Sequence, residues 1–337
     1  MSRLPRPRTI ASIALITTAM LAPTLDADLL LLLQDEAAPD DTIVDGPDPI
    51  AATDRGVVLE YKPSGGYVHE FGADLSGGGS LSVDRGFAAF KVEIDPGGDF
   101  KGSVGVAWGG DWYRFDGTSD LSPAPGVAPW SDIQAMAILG SMSWQIDREW
   151  STTVGLNLRF AGERDADVGD SMTVGGFGAI SYAFSRTLSL GAGAILSSQI
   201  EDSLLVIPAL VIYWQATDTI IVSNVLGPEV YPTGAGIEVA WRPDRVREVA
   251  IGTRYESRRF RLDDAGPAIR RNGVGEDTGY PLWARATWRF ESGFRLDLVG
   301  GISLFNSYRL DDANGDEIAK TDLDPAPFVG IFGSWRF

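Results

Sequence analysis

The sequence predicts an all-β protein: a transmembrane antiparallel up-and-down β-barrel of about 14 strands, with 12 as the alternative. Apolar and polar residues alternate through most of the chain beyond residue 65, connections alternate between short and long, and tryptophan or tyrosine recurs at one end of six of the seven predicted descending strands.

Alternation is the period of a strand with one wet and one dry face. In GFRLDLVGGISLFNSYRL, one parity gives Phe294, Leu296, Leu298, Gly300, Ile302 and Leu304, and the other gives Arg295, Asp297, Val299, Gly301 and Ser303. The same contrast sets Leu282, Ala284, Ala286 and Trp288 against Arg285, Thr287 and Arg289. Strands are predicted at 80–94, 100–115, 132–146, 150–160, 172–184, 187–198, 203–215, 219–226, 234–242, 247–262, 279–290, 293–309 and 326–337. A fourteenth is assigned to 65–75, because an even number returns both chain ends to one side of a membrane. Twelve follows if two short segments such as 219–226 are not strands.

Short connections (PGGD, DRE, SR, ATD, RPDR, ES) alternate with longer ones at 116–131, 161–171, 227–233, 263–278 and 310–325. Periplasmic turns below and extracellular loops above give that layout. Trp144, Trp214, Trp241, Trp288 and Trp335 each precede a short turn or the C-terminus by a few residues, on the apolar parity, and Tyr182 takes the same place in its strand. Rings at one level read as an interface girdle; a soluble sandwich has no reason to stack its tryptophans at one end.

Residues 1–27 read as a secretory signal peptide: Arg3, Arg6 and Arg8 precede an apolar run from Thr9 to Ala22. Residues 28–64 read as an acidic, proline-containing disordered periplasmic linker, too poor in large apolar residues to fold alone. The barrel then occupies 65–337, in the outer membrane of a Gram-negative-type bacterium. A net charge of −18 excludes a nucleic-acid partner, and the absence of cysteine excludes disulfides and thiolate metal sites. The predicted extracellular loops carry −15 of the acidic excess.

On the polar parity stand Arg159, Glu238, Arg242, Arg254, Glu256, Arg258, Arg285, Arg289, Arg295 and Asp297. These are the candidate lumen residues. They admit two readings: ion pairs that fill a narrow barrel, or the lining of an aqueous channel with a modest preference for anions. The expected function is thus a passive channel or small-solute transporter. The alternative is a non-conducting structural or surface-interaction barrel whose acidic loops bind divalent cations. The oligomeric state is left open.

Enzymatic chemistry finds little support, and no cofactor fingerprint is present. The single histidine, His69, has Ser64 and Ser76 nearby in sequence, but no orienting acid can be named. Asp312, Asn314 and Asp316 alternate like the start of a calcium loop, yet Glu317 and Leu323 occupy positions where that loop requires Gly and Glu. They are a weak metal candidate. RRFRLDDAG and NSYRLDDAN repeat one another at the tops of consecutive ascending strands, as a duplicated hairpin or paired loop supports would.

The predicted barrel as a whole resembles bacterial outer-membrane β-barrels. Its YRLDDANG segment and its closing FVGIFGSWRF are similar to members catalogued only as domains of unknown function. That resemblance implies outer-membrane lipid and the barrel assembly machinery as partners. In that class the machinery recognises a terminal aromatic preceded by alternating apolar residues, here Val329, Ile331, Trp335 and Phe337, with Gly333 as a departure.

Overall fold

The computed structural model describes residues 56–122, 127–224, 236–265 and 267–337, and every structural statement below is made of those residues. The signal peptide, most of the linker and the predicted loop at 227–233 lie outside them.

Alternating side chains produce sixteen strand segments: β1 (Val58–Asp74), β2 (Ser80–Asp95), β3 (Phe100–Asp116), β4 (Asp132–Gln145), β5 (Trp150–Glu163), β6 (Met172–Ser185), β7 (Leu188–Gln199), β8 (Asp202–Gln215), β9 (Ile220–Ser223), β10 (Gly236–Trp241), β11 (Arg247–Arg254), β12 (Glu256–Arg261), β13 (Val274–Arg289), β14 (Phe294–Asp311), β15 (Glu317–Leu323) and β16 (Ala326–Trp335). β11 and β12 form one stave bent at Tyr255. β15 and β16 form another, interrupted at 324–325. The wall therefore has 14 antiparallel staves, and it closes where β16 pairs with β1, Tyr67 opposite Ile331. Four-residue β9 is a genuine stave, bonded to both β8 and β10, which removes the 12-strand alternative.

Two boundaries differ from the sequence expectation. β1 starts at Val58, so the last residues of the expected linker belong to the wall, where Val58 faces Asp95 and Lys62 bonds Glu93 at 2.6 Å. The expected loop 310–325 is mostly hairpin: β14 runs on to Asp311 and β15 pairs back from Glu317, leaving only a tight turn. In that turn Gly315 adopts a left-handed φ of +87°.

The wall is inverted relative to a soluble protein. Leu156, Val206, Leu210 and Ile251 project outward and are exposed, whereas Arg285, Asp297 and Glu238 are buried on the opposite parity. Hydrocarbon outside and charge inside suits a cylinder standing in lipid.

Candidate functional site: the lumen and an inward strand

β12 leaves the wall. Its residues continue the ladder with β13, Glu256 opposite Gly279 through Arg261 opposite Val274. Above Tyr255 the strand crosses to β5, where Arg261 bridges Gly162 in parallel. All six residues of β12 are buried, on both faces, as only an interior strand can be. Gly162 permits this approach: a methyl group there would lie 3.0 Å from the Arg261 carbonyl oxygen and 3.0 Å from Cβ of Ala166.

Neighbouring staves break at the same level. The β13–β14 register shifts between Thr278 and Tyr280, opposite Phe305, which takes a φ of +51° and is 80% exposed. An aromatic residue in the left-handed region marks a bulge that surrounding structure enforces. The β15/β16 interruption falls beside it, and β1 shifts register against β2 between Glu70 and Ala73.

Above this level the barrel is filled. Trp130 and Leu121 come from the segment expected as an extracellular loop and are fully buried. Trp130 meets Phe260 of β12 (5.4 Å between ring centroids), Tyr113 of β3 (5.9 Å) and Tyr308 of β14 (6.4 Å). The repeated RRFRLDD and NSYRLDD segments supply matching parts of this core: Phe260 and Leu262 from one, Tyr308 and Leu310 from the other.

Ion pairs fasten the hairpin across the lumen. Arg85 of β2 donates to Asp277 of β13 at 2.8 Å, and the Tyr113 hydroxyl donates to the same carboxylate at 2.7 Å. Arg258 donates to Glu256 at 3.0 Å and to Asp277 at 3.4 Å, and it lies 3.7 Å from Asp111 of β3. On the other face of β12, Arg259 donates to Glu276, Asp311 and the Ile200 carbonyl.

A second network lies toward the short turns. Arg285 donates to Glu238, Glu248 and Asp297. Glu248 also accepts from Arg242 at 2.8 Å and Arg289 at 3.0 Å, while Arg295 pairs with Asp297 at 2.9 Å. The two networks join through Trp283, whose indole donates to Glu238 and whose ring carries the Arg254 guanidinium, itself bonded to Glu256. The result is a charged stripe along β10–β14. Arg159 is buried on β5.

The inner face of β3–β6 is different. Its lower half carries hydroxyls in cross-strand pairs: Ser103 with Ser141 at 2.8 Å, Ser143 with Thr153 at 2.7 Å, and Ser151 with Ser181 at 2.8 Å.

The expected girdle residues Trp144, Tyr182, Trp214, Trp241, Trp288 and Trp335 stand on the outward parity near the short turns, joined by aromatics that sequence reading passed over. Phe100 stacks on Trp144, Trp150 meets Tyr182, and Phe294 meets Trp335. Val329 and Ile331 are exposed on the same face, and Phe337 stacks on Trp335 at 5.3 Å. Phe337 exchanges two backbone hydrogen bonds with Tyr61 of β1.

The metal candidate does not assemble. The Asp312 carboxylate accepts the backbone N–H of Asn314 at 2.8 Å and of Asp316 at 3.0 Å, which closes the turn and holds its pKa below the ordinary aspartate value. Among the described residues no cluster of three potential ligands is present. His69 and Ser64 lie on opposite parities of β1 and cannot act as a pair. His69 does have an acid partner that sequence spacing could not reveal: Asp84, 2.8 Å from Nδ1.

An inside-out wall, an even stave number and a closed seam define the class: a bacterial outer-membrane β-barrel. No protein-family model matches the chain, and no curated protein matches it. Among solved structures it is similar to an outer-membrane channel from Pseudomonas putida F1, with 10% identity and a TM-score of 0.46 over 87% of this chain and 99% of that one. It is also similar to the P. putida toluene transporter TodX, with 9% identity and a TM-score of 0.40 over 83% and 90% of the two chains. The translocator domain of the autotransporter NalP from Neisseria meningitidis gives 6% identity and a TM-score of 0.31 over 85% and 90%. The class assignment rests on the wall itself.

Proposed function

We propose that the protein is a passive channel or small-solute transporter with a mixed-charge, slightly cationic lumen lined by Arg159, Glu238, Arg242, Arg254, Glu256, Arg258, Arg285, Arg289, Arg295 and Asp297. The observation that carries this reading is the lower half of the interior. There Arg242, Arg285, Arg289, Arg295, Lys62 and Lys91 outnumber Glu238, Glu248, Asp297 and Glu93, and they share the interior with a wall of small hydroxyl side chains. Long charged side chains on one side and short ones on the other suit a passable lumen better than an apolar core. Conduction then depends on displacement of the β12–β13 hairpin from β3 and β5. Planar-bilayer recording tests the proposal: discrete conducting steps with a reversal potential displaced toward anions support it, and cation selectivity refutes the charge assignment.

The filled upper half favours a second reading, a non-conducting structural or surface-interaction barrel. A correctly folded protein that stays silent in the same recording decides for that one. Entry through a cleaved signal peptide at 1–27 is part of the proposal, tested by N-terminal sequencing of the mature protein. So is recognition of Val329, Ile331, Trp335 and Phe337 by the assembly machinery: deletion of Phe337 lowers membrane insertion while secretion continues, and normal insertion of the deletion removes that assignment.

A further inference from the structure

The outward face of β1–β3 carries a polar cluster that the lumen does not use. Tyr67 and His69 of β1, Asp84 of β2 and Arg114 of β3 share the outward parity, and Asp84 stands opposite His69 in the ladder. Tyr67 donates its hydroxyl to Oδ1 of Asp84, His69 Nδ1 lies 2.8 Å from the same oxygen, and Arg114 Nη2 lies 2.7 Å from Oδ2. Asp84 faces outward, yet only 7% of its side chain is exposed, whereas 67% of the Arg114 side chain is. The carboxylate is a buried anchor that fixes three donor-bearing groups around itself.

The surroundings are those of a membrane boundary. Phe71, Phe90, Val106, Val329 and Ile331 are exposed on the same outer face. Trp112 lies over Gly86 and Gly110, where added methyl groups would fall 3.4 Å and 3.0 Å from its ring, and it meets Trp108. Tyr61, at the level of Phe337, is eight residues below His69 on β1. At a rise of about 3.3 Å per residue and a tilt near 40°, His69 sits about 20 Å above the lower girdle, close to the top of an apolar band about 25 Å tall.

We propose that this cluster binds the phosphate of an outer-leaflet lipid headgroup. Asp84 takes one guanidinium nitrogen of Arg114, and the rest of that planar fork is directed outward, suited to phosphate oxygens. With Nδ1 turned to Asp84, the Nε2 edge of His69 faces away from the carboxylate. Arg114 balances Asp84, so an arriving phosphate meets no uncompensated carboxylate. Trp108, Trp112 and Phe71 form the apolar surround against which acyl chains lie.

The refolded full barrel in neutral detergent, titrated with dioleoyl phosphatidic acid and read by native mass spectrometry, tests this. A glucosyl diacylglycerol with the same acyl chains serves as the phosphate-free probe. Phosphatidic acid is retained at about tenfold lower concentration than the glycolipid, and Arg114→Gln removes most of that difference. His69→Gln and Tyr67→Phe weaken retention less, and Tyr67→Phe, which deletes only a hydroxyl, guards against misfolding, monitored by heat-modifiable gel mobility. Equal retention of the two lipids, or an unchanged preference in a folded Arg114→Gln variant, overturns the proposal. Displacement of phosphatidic acid by millimolar inorganic phosphate identifies a soluble anion site and overturns the lipid assignment. Channel recordings do not enter this test, so it stands or falls apart from the transport reading.

Discussion

The staves β4–β8 and β10–β14 belong to one sheet and cross one membrane, but they are built on opposite principles. The first group keeps small residues and paired hydroxyls on its inner face in its lower half, shifts register only near strand ends, and asks little of any single side chain. The second carries a stripe of buried guanidinium and carboxylate groups, and its staves bend or bulge at one level to send β12 across the interior. A wall whose inner face is small can stay a wall. One lined by long charged side chains must give them partners, and here the partners lie across the barrel.

The largest break in this contrast comes from Arg285→Ala. It removes the guanidinium that Glu238, Glu248 and Asp297 share and leaves buried Glu238 without a cationic partner, and loss of one member of such a network costs about 3–5 kcal/mol. The folded, heat-modifiable band should convert to the unfolded one at clearly lower temperature or urea concentration. Asp277→Ala removes the acceptor shared by Arg85, Tyr113 and Arg258. A similar cost of about 3–5 kcal/mol is expected, but localised to the hairpin. Proteolysis between residues 263 and 273 should therefore accelerate before global unfolding changes, and bilayer recordings should show more frequent conducting events. Trp130→Ala tests the same seat without touching a charge. A loss of about 3 kcal/mol or more is expected from the cavity, with the same protease sensitivity; a variant as protease-resistant as the parent would show that the ion pairs alone hold the hairpin.

On the hydroxyl wall, Ser143→Ala should cost about 1 kcal/mol or less and leave conductance unchanged. The smallest effect is expected at the short turns. The backbone N–H groups of Trp150 and Glu149 lower the pKa of Asp147, and the Arg247 side chain followed by its backbone N–H lowers that of Asp244. Carboxylates with depressed folded-state pKa values stabilise the fold above their unfolded value and lose that contribution as pH falls through the folded one, a window below about pH 4. Asp147→Asn should remove that contribution, lowering the urea midpoint slightly at neutral pH and converging with the parent toward pH 3, as urea midpoints across pH 3–7 would show.

The regular half of the molecule was legible in the sequence because its information is local. Alternation in β4–β7, short turns and an aromatic residue before most of them are properties of neighbouring residues, and they gave the stave number. The bent half was not, because its partners are set by closure: Arg85 and Asp277 are 192 positions apart. A local signal was nonetheless present. In YESRRFR, Arg259 and Arg261 fall on the outward parity of a regular wall strand, yet both are buried in the structure. The orienting acid of His69 escaped notice for a related reason: Asp84 is opposite it only once β1 and β2 are in register.

The crossing of β12 onto β5 rests on something absent. At Gly162 the space of a single methyl group is what the Arg261 carbonyl and Ala166 come close to filling. The lock of the extracellular chamber is thus keyed by volume as well as by charge: Gly162→Ala would wedge bolt from plate while leaving every ion pair its full complement of atoms.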